Sequence, residues 1–176
     1  MRFSKYLVAM IVAAAPLAAQ RSTGPIEIGM DAMLSRQSYE TDFGKSSATF
    51  FQVPVQQIRV AVPMTPTISL EPSIGYVHVS DDGSSSDAFS GELGLLVHFN
   101  ENRKQPQGFV RPLIGVDDQF GTGGTHFTMG AGLGMKIPAT DRISYRVELR
   151  YKHQFESDGV SGNLFGLAAG LSFFTK

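Results

Sequence analysis

The sequence predicts an all-β fold: an eight-stranded antiparallel up-and-down transmembrane β-barrel preceded by a cleavable signal peptide. Three observations carry this expectation. Residues 142–155, RISYRVELRYKHQF, alternate Ile143, Tyr145, Val147, Leu149, Tyr151, His153 and Phe155 with Arg142, Ser144, Arg146, Glu148, Arg150, Lys152 and Gln154. An extended strand of that period has one apolar and one charged face. Seven more alternating runs occur along the chain, with turn residues between them and no capped amphipathic helix. Their connections also alternate: longer polar loops at 37–49, 80–86, 118–124 and 156–162, against the shorter Met64–Thr67, Asn100–Pro106 and Pro138–Asp141. Long loops on one rim and short turns on the other are the pattern of outer-membrane barrels.

Residues 1–19 read as a signal peptide: Arg2 and Lys5, an apolar run from Tyr6 to Ala15, then Pro16-Leu17-Ala18-Ala19. The run is too short for a membrane-spanning helix, which needs about 20 residues. Residues 20–176 are then one barrel domain. The chain has no cysteine, which excludes disulfides, thiolate metal sites and thiol nucleophiles. A formal net charge of −1 and the lack of any basic block exclude a nucleic-acid partner.

The first strand spans 26–36, with Ile26, Ile28, Met30, Ala32 and Leu34 opposing Glu27, Gly29, Asp31, Met33 and Ser35. In the second, Phe51, Val53 and Val55 keep one phase while Ile58, Val60 and Val62 keep the other, so either a β-bulge lies at Gln56-Gln57 or the regular strand begins only at Gln57. Ile68, Leu70, Ile74 and Tyr76 mark the third strand, with Pro72 on its apolar phase. The fourth carries Phe89, Gly91, Leu93, Leu95, Val97 and Phe99 against Ser90, Glu92, Gly94, Leu96 and His98. The fifth sets Val110, Pro112, Ile114 and Val116 against Arg111, Leu113, Gly115 and Asp117. The sixth, 125–137, alternates Phe127, Met129, Ala131, Leu133, Met135 and Ile137 with His126, Thr128, Gly130, Gly132, Gly134 and Lys136. Residues 142–155 are the seventh. The eighth sets Phe165, Leu167, Ala169, Leu171 and Phe173 against Gly166, Ala168, Gly170 and Ser172.

The faces are assigned by their contents. Aromatics gather towards the ends of the apolar faces, with Tyr76, Phe89, Phe127, Tyr151, Phe155 and Phe165 near the long-loop rim and Phe99, Tyr145 and Phe173 near the other. Two such girdles suit the two interfaces of a bilayer. The polar faces alternate charge with glycine, as the narrow interior of an eight-stranded barrel requires. Facing inward are Glu27, Asp31, Glu71, Glu92, Asp117 and Glu148 against Arg59, Arg111, Lys136, Arg146, Arg150 and Lys152, an equal number of each sign. Such a lumen is expected to be plugged by its own side chains, with Arg146, Arg150 and Lys152 meeting acids from other strands.

On these features the chain resembles small eight-stranded outer-membrane β-barrel proteins of the OmpA/OmpX type. The likeness covers the whole mature region and includes the aromatic-rich last strand LFGLAAGLSFF. Members of that family usually finish on an aromatic residue, whereas here Thr175-Lys176 follow Phe174. The resemblance implies an outer-membrane location in a Gram-negative-type bacterium. Its implied partners are outer-membrane lipid, lipopolysaccharide and the outer-membrane insertion machinery, and it implies a monomer. The expected role is non-enzymatic, in envelope structure or surface interaction.

No chemistry is dictated by a motif. His78, His98, His126 and His153 lie on separate strands without metal-ligand spacing, and no cofactor is expected. One alternative is a hydrolase, because His78-Val79-Ser80 with the later Glu92 is similar to the active-site run of outer-membrane lipid A deacylases. Ser80 would be the nucleophile, His78 its base and Glu92 the orienting acid. Two departures stand against it: Asp81 occupies the place of that family's Asn, and the run falls in the second hairpin instead of near the C-terminus. Glu92 also belongs to the inward phase, which leaves Asp87 as a substitute acid across the hairpin. Another alternative is a soluble, lipocalin-like exported barrel holding an apolar ligand.

Overall fold

The structure is a computed structural model that describes residues 24–41, 44–81, 84–118, 125–157 and 159–175, with the side chains at 41, 50–56, 77–81, 84–88, 118 and 157 left out. The signal-peptide segment and the Gly-rich connection 119–124 fall outside the described residues. Eight strands run in sequence order: β1 (Glu27–Thr41), β2 (Gly44–Pro63), β3 (Ile68–Asp81), β4 (Ser84–His98), β5 (Gln107–Asp118), β6 (Thr125–Thr140), β7 (Ile143–Ser157) and β8 (Val160–Phe174). Each pairs antiparallel with its neighbours. β1 closes the barrel on β8 in one unbroken register from Glu27↔Phe174 to Thr41↔Val160. Closure satisfies the backbone of every strand without leaving an edge in an apolar surround.

The strands run further than the apolar alternation reaches. The stretches read as loops at 37–49, 80–86 and 156–162 are largely strand, with pairing continuing to Thr41↔Gly44, Asp81↔Ser84 and Ser157↔Val160. Along 44–49 every residue is exposed, so no alternation marks the strand there, while the hydrogen-bond ladder depends only on backbone. At the β7–β8 reversal Gly159 has a φ of 75°, a left-handed conformation that a side chain would strain.

The phase slip in β2 has a register counterpart. Asp31 pairs with Gln57 and Met33 with Gln52, so β1 advances two residues while β2 advances five. The irregularity therefore lies at residues 53–56, which include Gln56 of the expected position, and regular pairing resumes at Gln57. Pro54 falls inside it. Among the described residues, β2 pairs with β3 only from Gln57↔Gly75 to Pro63↔Ser69.

The barrel is apolar outside and charged inside. Along β6, Phe127, Met129, Leu133, Met135 and Ile137 are all exposed, while His126, Thr128 and Lys136 are buried. The outward aromatics form two levels: Tyr76, Phe127, Tyr151, Phe155 and Phe165 towards the outer rim, Phe99, Tyr145 and Phe173 towards the rim of short turns. Phe127 and Phe155 lie 5.5 Å apart, and His153 meets Phe155 edge-on at 4.9 Å. Asn163 joins this outer level by accepting from Tyr151 Oη at 2.7 Å. An apolar belt between aromatic levels around a charged interior is the inverse of a water-soluble protein and suits a wall facing lipid. It removes the lipocalin-like alternative, whose interior would have to be the apolar side.

Leu133 is 56% exposed near the middle of β6. In a lipid-facing wall, Leu133→Arg should lower unfolding stability by about 2–4 kcal/mol in bilayers. Chemical denaturation in liposomes measures this; a neutral effect is the outcome for a residue that faces water.

Candidate functional site: the ion-paired lumen

The inward set predicted from sequence comes together as one connected network. Its centre is Glu71 on β3, fully buried between three arginines. Arg146 Nη1 and Nη2 donate to its two carboxylate oxygens at 2.6 and 3.1 Å, a forked pair of the kind guanidinium geometry favours. Arg111 Nε stands 2.8 Å from Glu71 Oε1, and Arg59 Nη1 is 3.7 Å from Oε2. Glu148 is the second hub, reached by Arg146, by Arg150 at 3.1 Å and by Arg111 at 3.5 Å.

From these hubs the pairs run to both ends. Towards the short-turn rim, Arg59 donates to Asp31 at 2.8 Å and to Glu27 at 2.6 Å, and Lys136 completes the chain on Glu27. Towards the outer rim, Arg111 and Arg150 approach Glu92 at 3.2 and 3.6 Å. Lys152 then joins Glu92 at 2.9 Å to Asp117 at 2.8 Å. Asp117 is the least buried of the set, its side chain 14% exposed. Every inward acid thus has a cation within ion-pair distance, which offsets the large desolvation cost of burying each charge.

Sequence reasoning missed the neutral groups that fill the gaps. Gln57 donates to Ser73 Oγ at 2.7 Å and Glu92 Oε2 at 2.9 Å while accepting from Arg150 at 2.8 Å. Ser172 accepts from Arg59 at 2.8 Å. Phe109 is also inside, with the Arg146 guanidinium 4.6 Å and the Lys136 ammonium 5.9 Å from its ring centre. It lies two residues before Arg111, one step beyond the expected start of that strand, so prolonging the alternation would have found it. Met33, Leu164 and Ala168 form a small buried apolar cluster on the β1 and β8 side.

Glycine makes the room. A Cβ at Gly132 would overlap the Glu148 carboxylate, one at Gly29 the Arg59 guanidinium, and one at Gly170 the Asp31 carboxylate. At Gly94 it would stand 2.5 Å from Arg111 Nε. These positions are glycine because the charged groups lie flat against the wall there.

The residues proposed for hydrolysis are not assembled as a triad. Glu92 is 1% exposed, inside the barrel, and engaged by Arg111, Arg150, Lys152 and Gln57. Its register partner is Ser73, seven residues before Ser80 on β3, or about 23 Å of strand. Glu92 therefore cannot orient a His78–Ser80 pair. The register instead sets His78 opposite Asp87 and Ser80 opposite Ser85, and the side chains of these residues lie outside the description. Among the described histidines, His98 contacts the Thr67 carbonyl at 3.2 Å, His126 is buried, and His153 faces Asn163 at 2.9 Å. No group of His, Asp or Glu among the described residues is placed to hold a metal ion.

A closed wall of eight tilted strands with a lipid-facing exterior and a charged core defines an outer-membrane β-barrel. The family model "Outer membrane protein beta-barrel domain" matches residues 6–173, and the chain belongs to this family. Its place is the outer membrane of a Gram-negative-type bacterium. In fold the chain is similar to Neisserial surface protein A, with 11% identity, a TM-score of 0.57 and coverage of 85% of this chain and 97% of that one. It is also similar to the outer membrane protein OprG from Pseudomonas aeruginosa, with 9% identity, a TM-score of 0.50 and coverage of 88% and 97%. Among curated proteins none matches significantly.

Removing one partner from the network should cost more than replacing the pair. Arg146→Met leaves Glu71 and Glu148 short of a cation and should destabilise the barrel by about 3–5 kcal/mol. Arg146→Met combined with Glu71→Gln should recover part of that loss. A double-mutant cycle on denaturation midpoints in detergent measures the coupling, and strictly additive effects would show that the two groups act independently.

Proposed function

We propose that this protein is a non-enzymatic outer-membrane barrel whose lumen is plugged by its own side chains, and that it serves envelope structure or surface contact through its outward hairpins. The observation that carries this reading is the unbroken ion-pair chain from Lys136 to Asp117, which crosses the barrel from one rim to the other. A solute would have to separate buried opposite charges to pass, and each separation leaves an unpaired charge in a medium of low dielectric. The surfaces offered for contact are the outward hairpins; on β1–β2, past the rung that pairs Arg36 with Phe165, Ser38, Glu40, Lys45 and Ser47 are exposed. We place outer-membrane lipid and lipopolysaccharide against the apolar belt, the insertion machinery as its assembly partner, and a monomer as its working state.

Planar-bilayer recordings test the plug directly. The wild-type protein should show little or no steady conductance, and Arg146→Ala or Glu148→Ala should be leakier. A large, stable wild-type conductance would overturn the reading.

The hydrolase alternative has its own test. Expression of the protein should leave the acyl-chain count of lipid A unchanged by mass spectrometry, with Ser80→Ala indistinguishable from wild type. Loss of one acyl chain that disappears in Ser80→Ala would establish an enzyme.

A further inference from the structure

The connection between β4 and β5 is more than a turn. Arg103, at its tip, reaches the Phe174 ring on β8, with the guanidinium 5.9 Å from the ring centre. β4 and β8 are four strands apart round the barrel in either direction, so this contact crosses the mouth at the rim of short turns. Arg103 also packs on the backbone at Gly24, where an added Cβ would stand 2.9 Å from Nη2. The segment is internally braced: Asn100 Nδ2 donates to the Pro106 carbonyl at 3.0 Å, Gln107 Nε2 to the Asn100 carbonyl at 2.9 Å, and the Lys104 amide to Asn102 Oδ1 at 3.0 Å.

Two spaces meet at this crossing. On the lumen side is a cavity of about 10 Å³, bounded by Glu27, Ser69, His98, Gln107 and Lys136, which is the room of one water. On the other side is an open cleft of about 630 Å³ that includes Lys104, Thr140, Asp141 and Ser144. Pro25, Arg103 and Phe174 line both spaces and so form the partition between them.

We infer that residues 100–106 are a strap across the periplasmic mouth, clamped by Arg103 on Phe174, and that this clamp separates the lumen from the periplasm independently of the ion-pair network. The strap makes the barrel doubly closed at one end. Lys104 contributes little to it, because its 3.8 Å pair with Asp141 joins side chains that are 82% and 85% exposed.

The chain has no cysteine, so a single Ser69→Cys is a clean reporter beneath the strap. Ser69 is 6% exposed and lines the small cavity. In the full-length mature protein folded in detergent, Ser69→Cys should react slowly with a charged methanethiosulfonate. Adding Arg103→Ala or Phe174→Leu should speed labelling at least tenfold, and adding Lys104→Ala should leave it unchanged. Arg103→Ala lies on an exposed turn, and unchanged heat-modifiable migration on gels checks that it folds. Equal labelling with and without Arg103, or equal acceleration by Lys104→Ala, would overturn the strap. Bilayer conductance of Arg103→Ala should stay low, because the network still blocks the barrel; a failure of the plug would appear there and not in the labelling.

Discussion

The interaction on which the rest of this structure depends is the neutralisation of Glu71 and Glu148 by Arg59, Arg111, Arg146 and Arg150. A barrel of eight strands is too narrow to hold bulk water and too wide to be filled by small side chains, so its interior must be packed with long ones. Long aliphatic side chains would leave no distinction between inside and outside, and a one-residue register slip would then cost little. With charges inside and Leu, Ile, Phe and Tyr outside, any slip exposes a guanidinium or carboxylate to lipid. The network thus fixes register as well as filling space.

That role constrains the wall. Arginine side chains from β2, β5 and β7 must cross to acids on β1, β3 and β4; Arg59 lies over Gly29 and Arg111 over Gly94 on the way, and the Glu148 carboxylate lies over Gly132. Each of these glycines weakens strand propensity. The cost is offset by the closed hydrogen-bond ladder and by ion pairs between buried groups. The neutral residues Gln57, Ser73 and Ser172 belong to the same account, since they take up some of the guanidinium and carboxylate sites that the charged partners leave over.

Much of this was legible in the sequence, for a physical reason. The alternation of period two gives strand number and face directly, and each of the twelve inward charges is identifiable because lipid forbids its placing on the other face. Partners were not legible, since Arg146 to Glu71 and Arg150 to Gln57 depend on barrel shear and not on local pattern. Strand ends were misread where the pattern stops: from Gln37 to Thr41 and from Gly44 to Ser47 the ribbon leaves the membrane, so no apolar face marks it, yet β1 and β2 stay paired. The same limit hid Phe109 and Leu164, which lie just outside the runs that alternation defined. The inward phase of Glu92 was legible from alternation, whereas its distance from Ser80 was not: the hairpin register pairs it with Ser73, seven rungs away.

The two ends of the barrel follow different physical rules. At the inner end the β4–β5 connection, residues 99–106, carries Arg103 across the mouth to an aromatic ring on the far wall. At the outer end β1 and β2 continue as an extended pair whose side chains are largely polar and exposed. This ribbon is held by backbone pairing with a few local side-chain contacts, Lys45 to Glu40 and Tyr39 to Gln37, so its side chains are free of the inside-outside constraint that fixes residues between the aromatic levels. Substitutions at Lys45 or Ser47 therefore disturb neither lumen charge nor lipid contact. Sequence change for recognition is cheapest where the barrel imposes no packing demand, and in this chain that freedom lies on the outer hairpins.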